Sequence, residues 1–101
     1  MKKIINGKLY NTETAKKLAE FCNDCTWSDF RYLEESLYRK RTGEYFLYGS
    51  GGPLTGYAKK LENGYRSGSA IRPLTENEAR EWAEDHVSAD EYITIFGDVE
   101  E

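Results

Sequence analysis

Only two cysteines, two prolines, one histidine and one methionine occur among the 101 residues of this chain. Two cysteines are too few for a disulfide-rich secreted scaffold. They are also only half of the four ligands that a structural zinc site takes, and the lone His86 stands far from Cys22 and Cys25 in sequence. No apolar run approaches the length of about 20 residues that crosses a bilayer. Residues 1–10 begin with positive charge, but Asn6, Gly7 and Lys8 interrupt the apolar stretch, so they do not read as a secretory leader. The P-loop pattern and the dinucleotide fingerprint are both missing. The expected location is the cytoplasm, with both cysteines as thiols, and no membrane, metal or cofactor is expected.

What the chain does have is aromatic residues: eight Tyr, four Phe and two Trp, or 14% of the sequence. Disordered chains are poor in aromatics, so this content argues for a packed core in which some hydroxyls reach the surface. The length fits one domain over residues 1–101. Charge is unevenly spread. Residues 75–101 hold ten acids and one base, Arg80, for a net −9, while residues 1–74 hold eight acids and thirteen bases, for a net +5. Such a split predicts one anionic and one cationic face if the fold keeps them apart.

Asn6-Gly7 predicts a two-residue hairpin turn, since both positions tolerate positive φ. Asn11 or Thr12 then caps an expected helix ending near Asn23, with Ala15, Leu18, Ala19 and Cys22 at helical spacing. Trp27 to Phe30 reads as a connection. Residues 30–39 and 45–48 predict an antiparallel hairpin closed at Thr42-Gly43, although Glu34-Glu35 fits a strand poorly. Gly49-Ser50-Gly51-Gly52-Pro53 reads as a loop, and residues 54–62 as ambiguous. Asn63-Gly64 signals a turn before a strand over 65–74. Thr75-Glu76-Asn77-Glu78 is a capping box opening a helix whose inward stripe is Ala79, Trp82, Ala83 and His86. Ser88 and Asp90 end it, and residues 92–96 read as a closing strand. The predicted class is α+β: a small antiparallel or mixed sheet of about four to five strands with two helices packed on it.

No nucleophile–base pair can be assembled, so an enzyme is not expected. Cys22-Asn23-Asp24-Cys25, at the end of the first expected helix, reads as two structural thiols. His86 reads as a helix-terminal residue favoured by the dipole. Two surfaces stand out. Glu76, Glu81, Glu84, Asp85, Asp90 and Glu91 can present phosphate-like charge to a protein that normally holds nucleic acid. Arg39, Lys40 and Arg41 at a hairpin tip, with Lys59 and Lys60, can instead touch phosphate directly. The plain alternatives are a solvated acidic surface and a solvated hairpin end.

The chain also resembles a group of small accessory proteins carried by phages and mobile elements of Gram-positive bacteria. The resemblance lies in Ile5-Asn6-Gly7-Lys8-Leu9-Tyr10-Asn11-Thr12-Glu13-Thr14-Ala15, in Glu35-Ser36-Leu37-Tyr38-Arg39 with Gly43-Glu44-Tyr45-Phe46-Leu47-Tyr48-Gly49, in Gly51-Gly52, and in Leu74-Thr75 with Ala79 and Trp82. It covers most of the chain and transfers no catalytic residue. It implies an accessory role in the host bacterial cytoplasm, of the kind filled by anti-CRISPR inhibitors. The expected function is therefore inhibition of a defence system by binding its effector, a protein partner, through the acidic surface. The alternative is a small nucleic-acid-binding regulator that uses the basic hairpin tip.

Overall fold

The computed structural model describes residues 1–26, 28–97 and 99. Among the described residues, eight strands precede two helices. The first hairpin pairs β1 (Lys2–Ile5) with β2 (Lys8–Asn11). Its two-residue turn places Asn6 at φ 52° and Gly7 at φ 77°, as the Asn-Gly pair predicts. The main sheet is antiparallel, with order β3 (Lys16–Cys22), β4 (Leu33–Arg39), β5 (Tyr45–Gly51) and β8 (Gly68–Leu74). A short ribbon pairs β6 (Lys59–Leu61) with β7 (Gly64–Arg66). Two helices, α1 (Glu76–His86) and α2 (Ala89–Phe96), follow. The architecture is α+β, with the helices packed on antiparallel sheet.

Strand periodicity divides the side chains of the main sheet between two faces. On one face Ala19, Leu37, Tyr45 and Leu47 meet Ala79, Trp82 and Ala83 of α1, joined by Tyr92, Ile95 and Phe96 of α2. On the other, Phe46 and Ile71 are covered by Tyr10 of the first hairpin. There Tyr10 meets Phe46 edge-on at 5.5 Å, and Tyr38 stacks on Phe46 at 5.2 Å. Both arrangements are favoured aromatic geometries.

Several expected elements are corrected. Residues 16–22 form strand β3, not a helix. Asn11 does make a cap-like turn, its Oδ1 accepting from the Glu13 amide at 2.9 Å, but the turn ends at Ala15 and is not propagated. The register of β3 slips between Lys17 and Ala19, and both Leu18 and Ala19 pack toward the helices. That bulge breaks the alternation of a regular strand and leaves a spacing that imitates a helix.

Residues 92–96 belong to α2, not to a closing strand. Ser88 caps this helix, accepting from the Glu91 amide at 3.2 Å. Tyr92, Ile95 and Phe96 then fall on one helical face, which prevails over the β-branched composition. Gly49, Ser50 and Gly51 extend β5 rather than forming a loop. The strand expected over 65–74 is broken at Ser67 into β7 and β8. The predicted hairpin is β4–β5, closed through Gly43 at φ 94°. The connection placed at Trp27 lies partly outside the described residues.

Candidate functional site

The Thr75 cap positions the acidic helix as its sequence dictates. Thr75 Oγ1 accepts from the Glu78 amide at 3.1 Å, and the Thr75 amide donates to Glu78 Oε1 at 2.9 Å. With Ala79, Trp82 and Ala83 turned inward, Glu81, Glu84 and Asp85 are left exposed on the outer side. They make no ion pair among the described residues. Asp90 and Glu91 occupy the first turn of α2, where the helix dipole favours acids. Glu76 is differently placed: it accepts from Arg80 Nε at 3.1 Å. The same Arg80 reaches Tyr92 Oη at 3.3 Å and lies 4.7 Å from the Phe96 ring centroid, tying α1 to α2. Asp98, Glu100 and Glu101 lie outside the described residues.

Between the helices runs an apolar groove of about 500 Å³, lined by Ala83, Val87, Ala89, Tyr92 and Ile93 with Glu84 and Ser88 at its edge. Ile93 is exposed. An apolar floor with Glu84 at its edge is a surface on which a protein can gain both area and charge complementarity.

The five bases singled out in the sequence are not gathered. Arg39 closes one end of the main sheet opposite Tyr45, and the β6–β7 ribbon leads into β8 at the other end. Seven strand residues separate those ends by about 20 Å. Lys40 is largely committed: its Nζ sits 3.8 Å over the Tyr10 ring and 3.7 Å from Glu44. Lys59 and Lys60 are adjacent on β6 and project to opposite faces of the ribbon.

One group escaped sequence reasoning altogether. Glu35 is buried in β4, at the seam where the helices meet the 52–58 loop. Its carboxyl accepts from Trp82 Nε1 at 3.0 Å and from Tyr57 Oη at 2.5 Å. Both oxygens are therefore satisfied, as a buried carboxyl requires. Burial, and then the hydrogen bond to Glu35, pushes the Tyr57 phenol well above its ordinary range. Arg72 covers the Tyr57 ring at 4.3 Å and donates to the Gly56 carbonyl at 3.1 Å. Tyr57 occupies the space above Gly49, where a Cβ would lie 2.1 Å from its Cζ. Gly49, read as part of a flexible loop, is thus a floor for Tyr57, and Gly51 lies under Thr55. The visible signal was the Glu-Glu pair set in a strand.

His86 packs between rings, 4.4 Å from Phe21 and 4.8 Å from Trp82, and its Nδ1 is 2.7 Å from the Trp82 carbonyl oxygen. It faces no nucleophile among these contacts. Cys22 ends strand β3 and is exposed, and Cys25 follows it half-buried, so neither stands at a helix end and Cys22 is not a core thiol. Among the described residues no group of three or more His, Cys, Asp or Glu is placed to hold a metal ion. No described helix is long and apolar enough to cross a membrane. Comparison with known proteins found no family, no curated protein and no solved structure that matches this chain.

Proposed function

We propose that this protein is a non-catalytic inhibitor that binds a basic, nucleic-acid-handling protein through the acidic face of α1 and α2. The carrying observation is the exposed set Glu81, Glu84 and Asp85 on α1, with Glu84 lining the apolar groove between the helices, together with the exposed Asp90 and Glu91 in the first turn of α2. Arg and Lys that hold phosphate also hold carboxylates. The groove supplies the apolar area that charge alone lacks. In the phage setting that the resemblance implies, the partner is a CRISPR effector or another nucleic-acid-binding defence protein. The competing reading, a nucleic-acid-binding regulator, is weakened by the division of its five bases between two ends of the sheet.

The test has two stages. Host proteins retained by the immobilised chain are identified, and the retained partner is then titrated with its own nucleic acid. A basic partner released in competition with that nucleic acid is the expected result. Retention indifferent to both nucleic acid and salt would sink the proposal.

A further inference from the structure

A second surface lies on the sheet face opposite the helices. There a cleft of about 420 Å³ is lined by Tyr32, Tyr48, Ser50, Ser69, Lys59 and Arg66. Its volume falls in the range of small-molecule sites. The residues come from separate places: Tyr48 and Ser50 from β5, Ser69 from β8, the two bases from the ribbon, and Tyr32 from the turn before β4.

The two bases are the unusual feature. Lys59 and Arg66 are direct cross-strand partners in the β6–β7 ribbon. Like charges set opposite one another destabilise a strand pair. No ion pair relieves either base among the described residues. Lys59 is also held in place, because its stem crosses Gly68 where a Cβ would lie 2.9 Å from Lys59 Cγ. A two-stranded ribbon that retains this repulsion, over serine hydroxyls able to donate, is arranged for an anion.

Tyr32 and Tyr48 also line the cleft. The Tyr32 hydroxyl donates to Glu34, which lies across the strand pair from Ser50. Lys59 and Arg66 come from the ribbon and the two rings from β5 and the turn before β4, so anion and ring have separate seats. The geometry points to a binding site for a phosphomonoester of nucleotide size, with phosphate at Lys59 and Arg66 and the base against Tyr32 and Tyr48. A nucleic-acid strand fits less well. The first hairpin covers the adjoining part of this face, and Arg39 lies at the other end of the sheet.

This site is independent of the acidic helix face. Calorimetric titration with adenosine monophosphate, adenosine, inorganic phosphate and a short single-stranded oligothymidylate tests it. Saturable one-to-one binding of the monophosphate, tighter than adenosine or phosphate, is expected, with amide shift changes at Tyr48, Ser50 and Ser69. Arg66→Gln should weaken it about tenfold or more. Lys59→Glu sets opposite charges across the ribbon, so the melting midpoint should rise by about a few degrees while binding is lost. Monophosphate binding no tighter than adenosine would overturn the proposal. So would affinity unmoved by either variant, or an oligonucleotide bound more than about tenfold tighter than the monophosphate, which would assign the cleft to a strand.

Discussion

Glu35 serves two donors from two separate covers of the sheet, Trp82 on α1 and Tyr57 in the 52–58 loop. Removing its carboxyl leaves both donors buried without an acceptor, and each such loss costs about 1–3 kcal/mol. Glu35→Ala should therefore lower stability by about 2–5 kcal/mol. Glu35→Gln, which retains one acceptor, should lower it less. Urea unfolding with an unchanged slope measures both, and equal midpoints for wild type and Glu35→Ala would mean that the seam does not depend on this residue.

The tyrosines add a pH dependence whose direction follows from their partners. Tyr32, bound to Glu34, is pushed up to about 12, and Tyr57 is raised by burial and by Glu35. A phenol raised in the folded state holds its proton where the unfolded chain, near 10, has released it. Its contribution is complete below pH about 10 and declines as pH rises through the folded value. Stability should accordingly fall steadily above pH about 10. Tyr57→Phe should be less stable at neutral pH yet show a shallower alkaline decline. Tyrosinate absorbance that rises near pH 10 for all eight tyrosines, with the fold intact, would contradict this.

At the scale of elements, local chemistry decided what the sequence disclosed. The α1 cap was legible because both halves of the box lie within four residues. Thr75→Ala should cost about 1 kcal/mol, read as a shift in thermal midpoint. The Asn6-Gly7 turn and the β4–β5 hairpin were legible for the same reason. Strand β3 was not, because its identity depends on pairing with β4 twelve or more residues away and on a bulge at Leu18. Helix α2 was misread because Tyr92-Ile93-Thr94-Ile95-Phe96 has strand composition, while its fate is set by Ser88 and by packing on α1. The role of Gly49 was hidden because its neighbour, Tyr57, is a loop residue that only the fold brings over it. Gly49→Ala should displace that ring and destabilise the protein by about 1–3 kcal/mol or more. An unaltered midpoint would show that the 52–58 loop can lift without loss. The acidic candidates could be counted in the sequence, but their division into engaged and unengaged groups could not. Arg80 takes Glu76 through the helical i,i+4 spacing and then bridges to Tyr92 through the tertiary fold. The cleft at Lys59 and Arg66 was less accessible still, since it needs the placement of four separate strands.

For the molecule as a whole, five exposed helix acids lie apart from three lysines of the first hairpin. The helices with Glu81, Glu84, Asp85, Asp90 and Glu91 lie on one face of the sheet, and the hairpin carrying Lys2, Lys3 and Lys8 packs on the other. Toward the basic partner proposed above, acids grouped in this way would steer association. Single exposed charges contribute little, typically below about 1 kcal/mol each, so the test must move several together. Replacing Glu81, Glu84 and Asp85 by Lys changes three exposed positions and touches none of Ala79, Trp82 and Ala83. The variant should fold, with circular dichroism matching the parent. Its binding to the captured partner should weaken chiefly through slower association, and the parent's affinity should fall as salt rises while the variant's loses that dependence. Folded and equally inhibitory, the triple variant would reduce this helix face to a solvated surface. Inhibition by the parent would then have to come from the groove around Val87 and Ile93, where Ile93→Asp is the next substitution to measure.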